Sequence, residues 1–165
     1  MALSATVYGL EVRLADADRG VYETLTLRVA RHPSESAEYL ITRVLAYCLE
    51  YTEGIAFSKG LSEPDEPAIA VRDLTGMLLT WIDIGAPEAG RLHKASKAAR
   101  RVAVYAHRDA ESWLARLQGQ RIHRAESVQI NVVDRELVAA LAARLQRRMD
   151  FDLSVSERHL YLSLG

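Results

Sequence analysis

Two carboxylates, Glu66 and Asp83, flank one predicted β-hairpin. Glu66-Pro67 opens an apolar run, Ala68-Ile-Ala-Val-Arg72, which is followed by turn chemistry at Asp73-Leu-Thr-Gly76. The chain then returns as Met77-Leu-Leu-Thr-Trp-Ile-Asp-Ile-Gly85. Antiparallel pairing through such a turn sets the start of the first strand beside the end of the second. The two acids, 17 positions apart, are therefore expected at one end of the hairpin. Two carboxylates so placed can share a divalent cation, Mg²⁺ or Mn²⁺, which lowers the pKa of a bound water and polarises phosphate oxygens. The same spacing also fits two solvated acids at a sheet edge, and both readings stand at this point.

The next segment concentrates positive charge. A helix is predicted over 87–100, opened by Pro87, with a small-residue face of Ala89, Leu92, Ala95 and Ala99. Its other side carries Arg91, Lys94 and Lys97, and Arg100 and Arg101 close it: five bases in eleven positions with no acid among them. Arg91, Lys97 and Arg101 could hold a phosphate backbone without reading bases. The plainer reading is a solvated helix face. Other chemistries lack their residues. His32 and His107 have no His-x₃-His or Cys/His companion, so a zinc site is not expected. No glycine-rich phosphate loop is present, and Ser34 and Ser62 have no Ser/His/Asp arrangement around them. The single cysteine, Cys48, excludes an internal disulfide and falls on an apolar helical stripe, where a thiol is buried and inert.

The elements that must position these groups follow from periodicity. Residues 3–14 and 21–31 alternate as strands around a turn at Asp16-Ala-Asp-Arg-Gly20, with a phase change at Tyr8-Gly9 that would mark a bulge. His32-Pro33-Ser34 leads into a helix over 35–51, capped by Ser34, with Leu40, Ile41, Val44, Leu45 and Cys48 at helical spacing. Glu38 lies along that apolar stripe, where an acid needs a base, a helix terminus or a cation. Residues 53–65 read as a loop, 102–106 as a buried strand, 109–119 as a helix and 128–132 as a strand. Asp134 caps a helix to about Arg147, and 151–155 with 160–164 form a terminal hairpin. Hairpins at both ends and αβ alternation between them predict an α+β protein, a mixed sheet flanked by about four helices.

A length of 165 residues is most economical as one domain spanning 1–165. A formal charge of −1 excludes a global pull toward nucleic acid or anionic membrane, so any such contact needs a local basic face. No segment approaches the ~18–20 apolar residues that cross a bilayer. The first residues reach Glu11 and Arg13 without a basic leader and apolar run, and the expected compartment is the cytoplasm.

Four stretches make the chain resemble the YaeQ family of bacterial proteins. They are Ala30-Arg-His-Pro-Ser-Glu35; Lys59-Gly-Leu-Ser62 leading to Asp65-Glu-Pro67; Asp73-Leu-Thr-Gly76 with Trp81-Ile-Asp-Ile-Gly85; and Arg91 through Lys97 with Val104-Tyr105. The resemblance implies a core related to the PD-(D/E)XK nuclease superfamily with a degenerate motif. Glu66 then matches the first acid and Asp83 the second. Gly85 takes the position of the usual lysine and supplies no amine. The resemblance places a migrated lysine on the next helix, at Lys94. An acid of the first helix completes the metal set, Glu38 in preference to Glu35. A metal held by Glu38, Glu66 and Asp83 would activate water against a DNA or RNA phosphodiester, with Lys94 stabilising developing charge. The alternative is a catalytically silent member of the fold that binds nucleic acid or protein.

Overall fold

The computed structural model describes residues 5–58 and 65–164. The Lys59–Ser62 stretch of the resemblance lies outside them. The chain divides into two compact units, one formed by both chain ends (1–35 and 144–165) and one by the continuous segment 36–143.

The first unit is a four-stranded sheet. β1 (Thr6–Asp16) pairs antiparallel with β2 (Val21–Arg31) across the predicted turn. β8 (Arg148–Ser156) pairs antiparallel with β9 (His159–Leu164). The two hairpins join through β1 and β8, which run parallel, so the order is β2-β1-β8-β9. Alternation dictates the pattern, since successive side chains leave opposite faces. Leu10, Val12 and Leu14, Leu25, Leu27 and Val29, and Phe151, Leu153 and Val155 are buried. Between them Arg13 reaches the neighbouring strand and pairs with Asp150, 2.9 Å, and with Asp152. The expected bulge is absent. Register runs unbroken from Thr6↔Arg31 to Asp16↔Val21. Tyr8 is buried and Val7 is exposed, so Tyr8, Leu10, Val12 and Leu14 share one phase throughout.

The second unit holds a five-stranded mixed sheet, β3-β4-β5-β6-β7. The strands are Ile55–Phe57, Ile69–Arg72, Leu78–Ile84, Arg101–Ala106 and Gln129–Val132. The first three run antiparallel, and β5, β6 and β7 run parallel. Parallel neighbours need crossovers, and helices supply them: α2 (Ala89–Ala98) joins β5 to β6, and α3 (Ala110–Leu117) joins β6 to β7. Leu92, Ala95 and Ala99 of the α2 segment and Trp113 of α3 pack with Trp81, Val102, Val104 and Ala106 on one face of the sheet. The opposite face receives α1 (Ala37–Leu49), whose Leu40, Ile41, Val44, Leu45 and Cys48 are buried and which also packs on α4 (Arg135–Ala143). Among the described residues the fold is thus α+β with four α-helices, as periodicity predicts, but the strands form two sheets instead of one. No helix among the described residues is long and apolar enough to cross a membrane.

Two helix starts differ from expectation. Ser36, not Ser34, caps α1, its hydroxyl accepting the Tyr39 N–H at 3.0 Å. Pro87 precedes the α2 cap, Glu88, and its carbonyl accepts the indole N–H of buried Trp113 at 2.8 Å. Proline lacks a donor but keeps its acceptor, and this contact uses it.

Candidate functional site

The β4–β5 hairpin sets Ile69 opposite Ile82 and Ala70 opposite Trp81. Asp83, one residue further, therefore stands at the hairpin's open end, where the Ala68 N–H approaches its Oδ1 at 3.4 Å. Beyond Ile84 the chain turns at Gly85, whose φ of +89° lies in the left-handed region that favours glycine. Its N–H still reaches the Tyr105 carbonyl at 2.9 Å, holding the end of β5 against β6. Gly85 thus has a backbone role at the position where the resemblance would put a lysine.

The turn brings α2 over the strand end and delivers Arg91 to Asp83. The guanidinium binds both carboxylate oxygens, Nε to Oδ2 at 2.6 Å and Nη2 to Oδ1 at 3.0 Å. Nη2 also donates to the Glu66 carbonyl at 2.7 Å. The guanidinium carbon lies 5.2 Å from the centroid of the Trp81 ring, so the cation is also stacked on an aromatic face. Asp83 is 2 % exposed. A buried carboxylate without a cation is costly, and a planar guanidinium matches its two oxygens. The hairpin brings the Glu66 backbone to the Asp83 end, where Arg91 joins the two: Glu66 contributes its carbonyl oxygen to the fork, and the residue remains exposed.

The other expected site residues go elsewhere. Lys94, exposed on α2, pairs with Asp65. Arg101 is not on the helix: it opens β6, where it pairs with Glu50 and donates to the Gln129 side chain at 2.6 and 2.9 Å. Tyr105 donates to the same Glu50 carboxylate at 2.6 Å. The hydrogen bond to Glu50 holds Arg101 further into its charged range. Only Lys97 of the three expected phosphate contacts is both exposed and without a carboxylate partner among the described residues. Glu38 is half-buried on α1, and its carbonyl accepts the Thr42 hydroxyl at 2.8 Å. Its charge acts on His107, the residue after β6, and pulls that imidazole's pKa upward. Burial outweighs this pull and lowers the pKa of His107, helped by Arg108 and Arg135. His107 is 7 % exposed, and its Nδ1 has no hydrogen-bond partner among the described residues. Sequence reasoning weighed His107 only for zinc, because nothing in one sequence marks which strand end buries a histidine.

These residues do not fit a divalent cation. Hard cations take oxygen ligands with lone pairs to spare, and several of them. Here the Asp83 oxygens are engaged by a fixed charge already. Among the described residues no group of three His, Cys, Asp or Glu side chains is arranged to hold a metal. What the arrangement does supply is a neutralised, stacked ion pair that ties the hairpin end to α2.

The YaeQ protein family model matches residues 1–165. YaeQ of Escherichia coli strain K12 is 34% identical over 166 residues, covering 99% of this chain and 91% of that protein, and YaeQ of Shigella flexneri matches to the same extent. The crystal structure of the YaeQ protein from Pseudomonas syringae superposes with a TM-score of 0.86 at 34% identity, over 97% of this chain and 89% of that one. The YaeQ protein from Xanthomonas axonopodis pv. citri gives 0.87 at 34% identity, over 98% and 92%. Matched over its whole length in sequence and nearly all of it in structure, the chain belongs to the YaeQ family.

Proposed function

We propose that this chain is a nucleic-acid-binding module whose buried Asp83 carboxylate is closed off by Arg91, so that it binds phosphodiesters without hydrolysing them. The observation that carries this reading is the Arg91 fork on buried Asp83. In a metal-dependent nuclease site that carboxylate would be a ligand, and its two oxygens would face the ion. A guanidinium supplies the positive charge instead. It holds its proton too firmly to act as a general base and carries no activated water. The resemblance to a nuclease-like core supports the nucleic-acid part of the proposal, and the lack of an amine at Gly85 supports the silent part.

Titration calorimetry with Mn²⁺ and Mg²⁺ tests the closed site, and turnover assays on single- and double-stranded DNA and RNA test the silence. The expected result is no stoichiometric metal binding, oligonucleotide binding that weakens steeply with salt, and no cleavage. Stoichiometric Mn²⁺ binding lost in Asp83→Asn, together with metal-dependent cleavage lost in Glu66→Gln, would overturn the reading in favour of a working nuclease.

A further inference from the structure

The bases of the α2 region divide by partner. Arg91 is held by Asp83, Lys94 by Asp65 and Arg101 by Glu50. Arg100 meets the Met77 sulfur at 3.7 Å and acts on Asp73. Lys97 turns to another neighbourhood. It lies one helical turn after His93, on the same face of α2. The segment that follows α3 comes back to this face. The His123 N–H donates to His93 Nδ1 at 2.9 Å, and the two rings stand edge-to-face at 6.3 Å. Arg121 of the same segment is exposed and close enough to act on His93. No Asp or Glu occurs in residues 89–108 or 112–125, so neither stretch brings its own counter-charge.

From this juxtaposition we propose that His93, Lys97, Arg121 and His123 form a phosphate-binding surface that takes the sugar–phosphate backbone of a nucleic acid. Lys97 and Arg121, drawn from a helix and a loop, repel each other and any proton on the two imidazoles in the free protein, and an anion relieves that repulsion. The hydrogen bond from His123 makes Nδ1 of His93 the acceptor and so leaves its proton on Nε2, a donor even when the ring is neutral. Burial lowers the pKa of His93, and Lys97, Arg121 and His123 lower it further, so the groups share one field that no acid among the described residues opposes. Cations and imidazole N–H donors suit phosphate oxygens, which carry no sequence information, so the surface is expected to hold the backbone and not to read bases. An acidic peptide would meet the same charges. The nuclease-like reading above, on which this inference rests, favours the polynucleotide.

Fluorescence anisotropy with a labelled single strand and a labelled duplex, from 50 to 300 mM salt, tests it. In the double variant Lys97→Gln/Arg121→Gln, binding is expected to fall about tenfold at low salt, and the duplex salt slope to lose roughly 1.8, two contacts' worth. The control double Arg28→Gln/Arg148→Gln removes the same charge from exposed positions of the first sheet and is expected to change affinity less than twofold. An equal fall in both doubles overturns the site but leaves the nucleic-acid reading standing. No binding by the wild type overturns both. Polyglutamate bound as tightly as the oligonucleotide, with loss in the Lys97/Arg121 double, makes the occupant an acidic protein and overturns the nucleic-acid assignment.

Discussion

Asp83 and Arg91 form an ion pair whose two members differ in exposure, so losing one or the other should not cost the same. Asp83 is 2 % exposed, whereas the Arg91 side chain keeps 30% of its surface. Removing the cation therefore strands a buried carboxylate. Removing the carboxylate leaves a guanidinium that can turn toward water. Arg91→Gln should cost about 2–4 kcal/mol, below the full range for a wholly buried pair because one partner meets solvent. Asp83→Asn should cost less, since the amide oxygen can still accept from Arg91. Urea denaturation of both single variants and the double gives the coupling, which should exceed about 0.5 kcal/mol. Equal costs for the two single variants, or additivity within error, would show that the pair is a passive contact. At this scale the sequence disclosed that the Glu66 segment returns to the Asp83 end of the hairpin, since hairpin pairing is local and the turn residues mark it. It did not disclose Arg91 as their partner, because one turn of helix separates Arg91 from Lys94 and only the crossing of α2 over β5 decides which base reaches the strand end.

The elements put similar residues under different demands, and two glycines show the contrast. Gly54 precedes β3 at φ +88°, and a Cβ there would sit 2.1 Å from the Arg72 carbonyl oxygen. Its own carbonyl accepts the Arg72 N–H at 3.1 Å, so the close approach is part of the β3–β4 pairing. Gly90 lies in the first turn of α2, exposed, and a Cβ added there would meet nothing within 4 Å. Gly54→Ala should destabilise by more than about 1 kcal/mol, through left-handed strain and a backbone clash together. Gly90→Ala should stabilise by about 0.5–1 kcal/mol, by lowering the entropy of the unfolded chain in a helical position. Thermal unfolding of the two variants checks both signs, and a neutral Gly54→Ala would remove the steric argument. Most element positions were readable from periodicity, including β1, β2 and the terminal hairpin. The misreadings share a cause. Short-range pattern does not say which hydroxyl caps a helix, so Ser34 stood in for Ser36. Nor does it show that Arg101 has passed from helix to strand, where alternation turns it toward Glu50. β3 escaped notice because three residues carry no period.

Considered as a whole molecule, the chain is near neutral, yet its bases and acids are not evenly spread, and this sets how it should respond to acid. Two histidines of the second unit titrate below their ordinary range. His107 is held down first by burial and then by Arg108 and Arg135, with Glu38 opposing. His93 is held down by burial and by Lys97, Arg121 and His123. In the unfolded chain both take up a proton near pH 6.5. The folded state takes them up only at lower pH, so below that point the unfolded state binds more protons and stability must rise with pH. Stability should therefore be undiminished above about pH 6.5 and be lost as the pH falls from there through the depressed folded values. His93 gives the loss a structural form, because protonating Nδ1 ends its role as acceptor for the His123 N–H. Urea midpoints at pH 7.5 and 5.5 check this, since few carboxylates change charge over that interval. The midpoint should be lower at pH 5.5, and His107→Gln combined with His93→Gln should shrink the difference. A midpoint that does not move, or a shift that persists in the double variant, would place the acid response in other groups. Bound phosphate should act in the opposite sense at one of the two sites. An anion on the His93 surface favours the protonated imidazole, so an oligonucleotide should narrow the pH difference in the wild type but leave unchanged the part that belongs to His107, on the residue after β6.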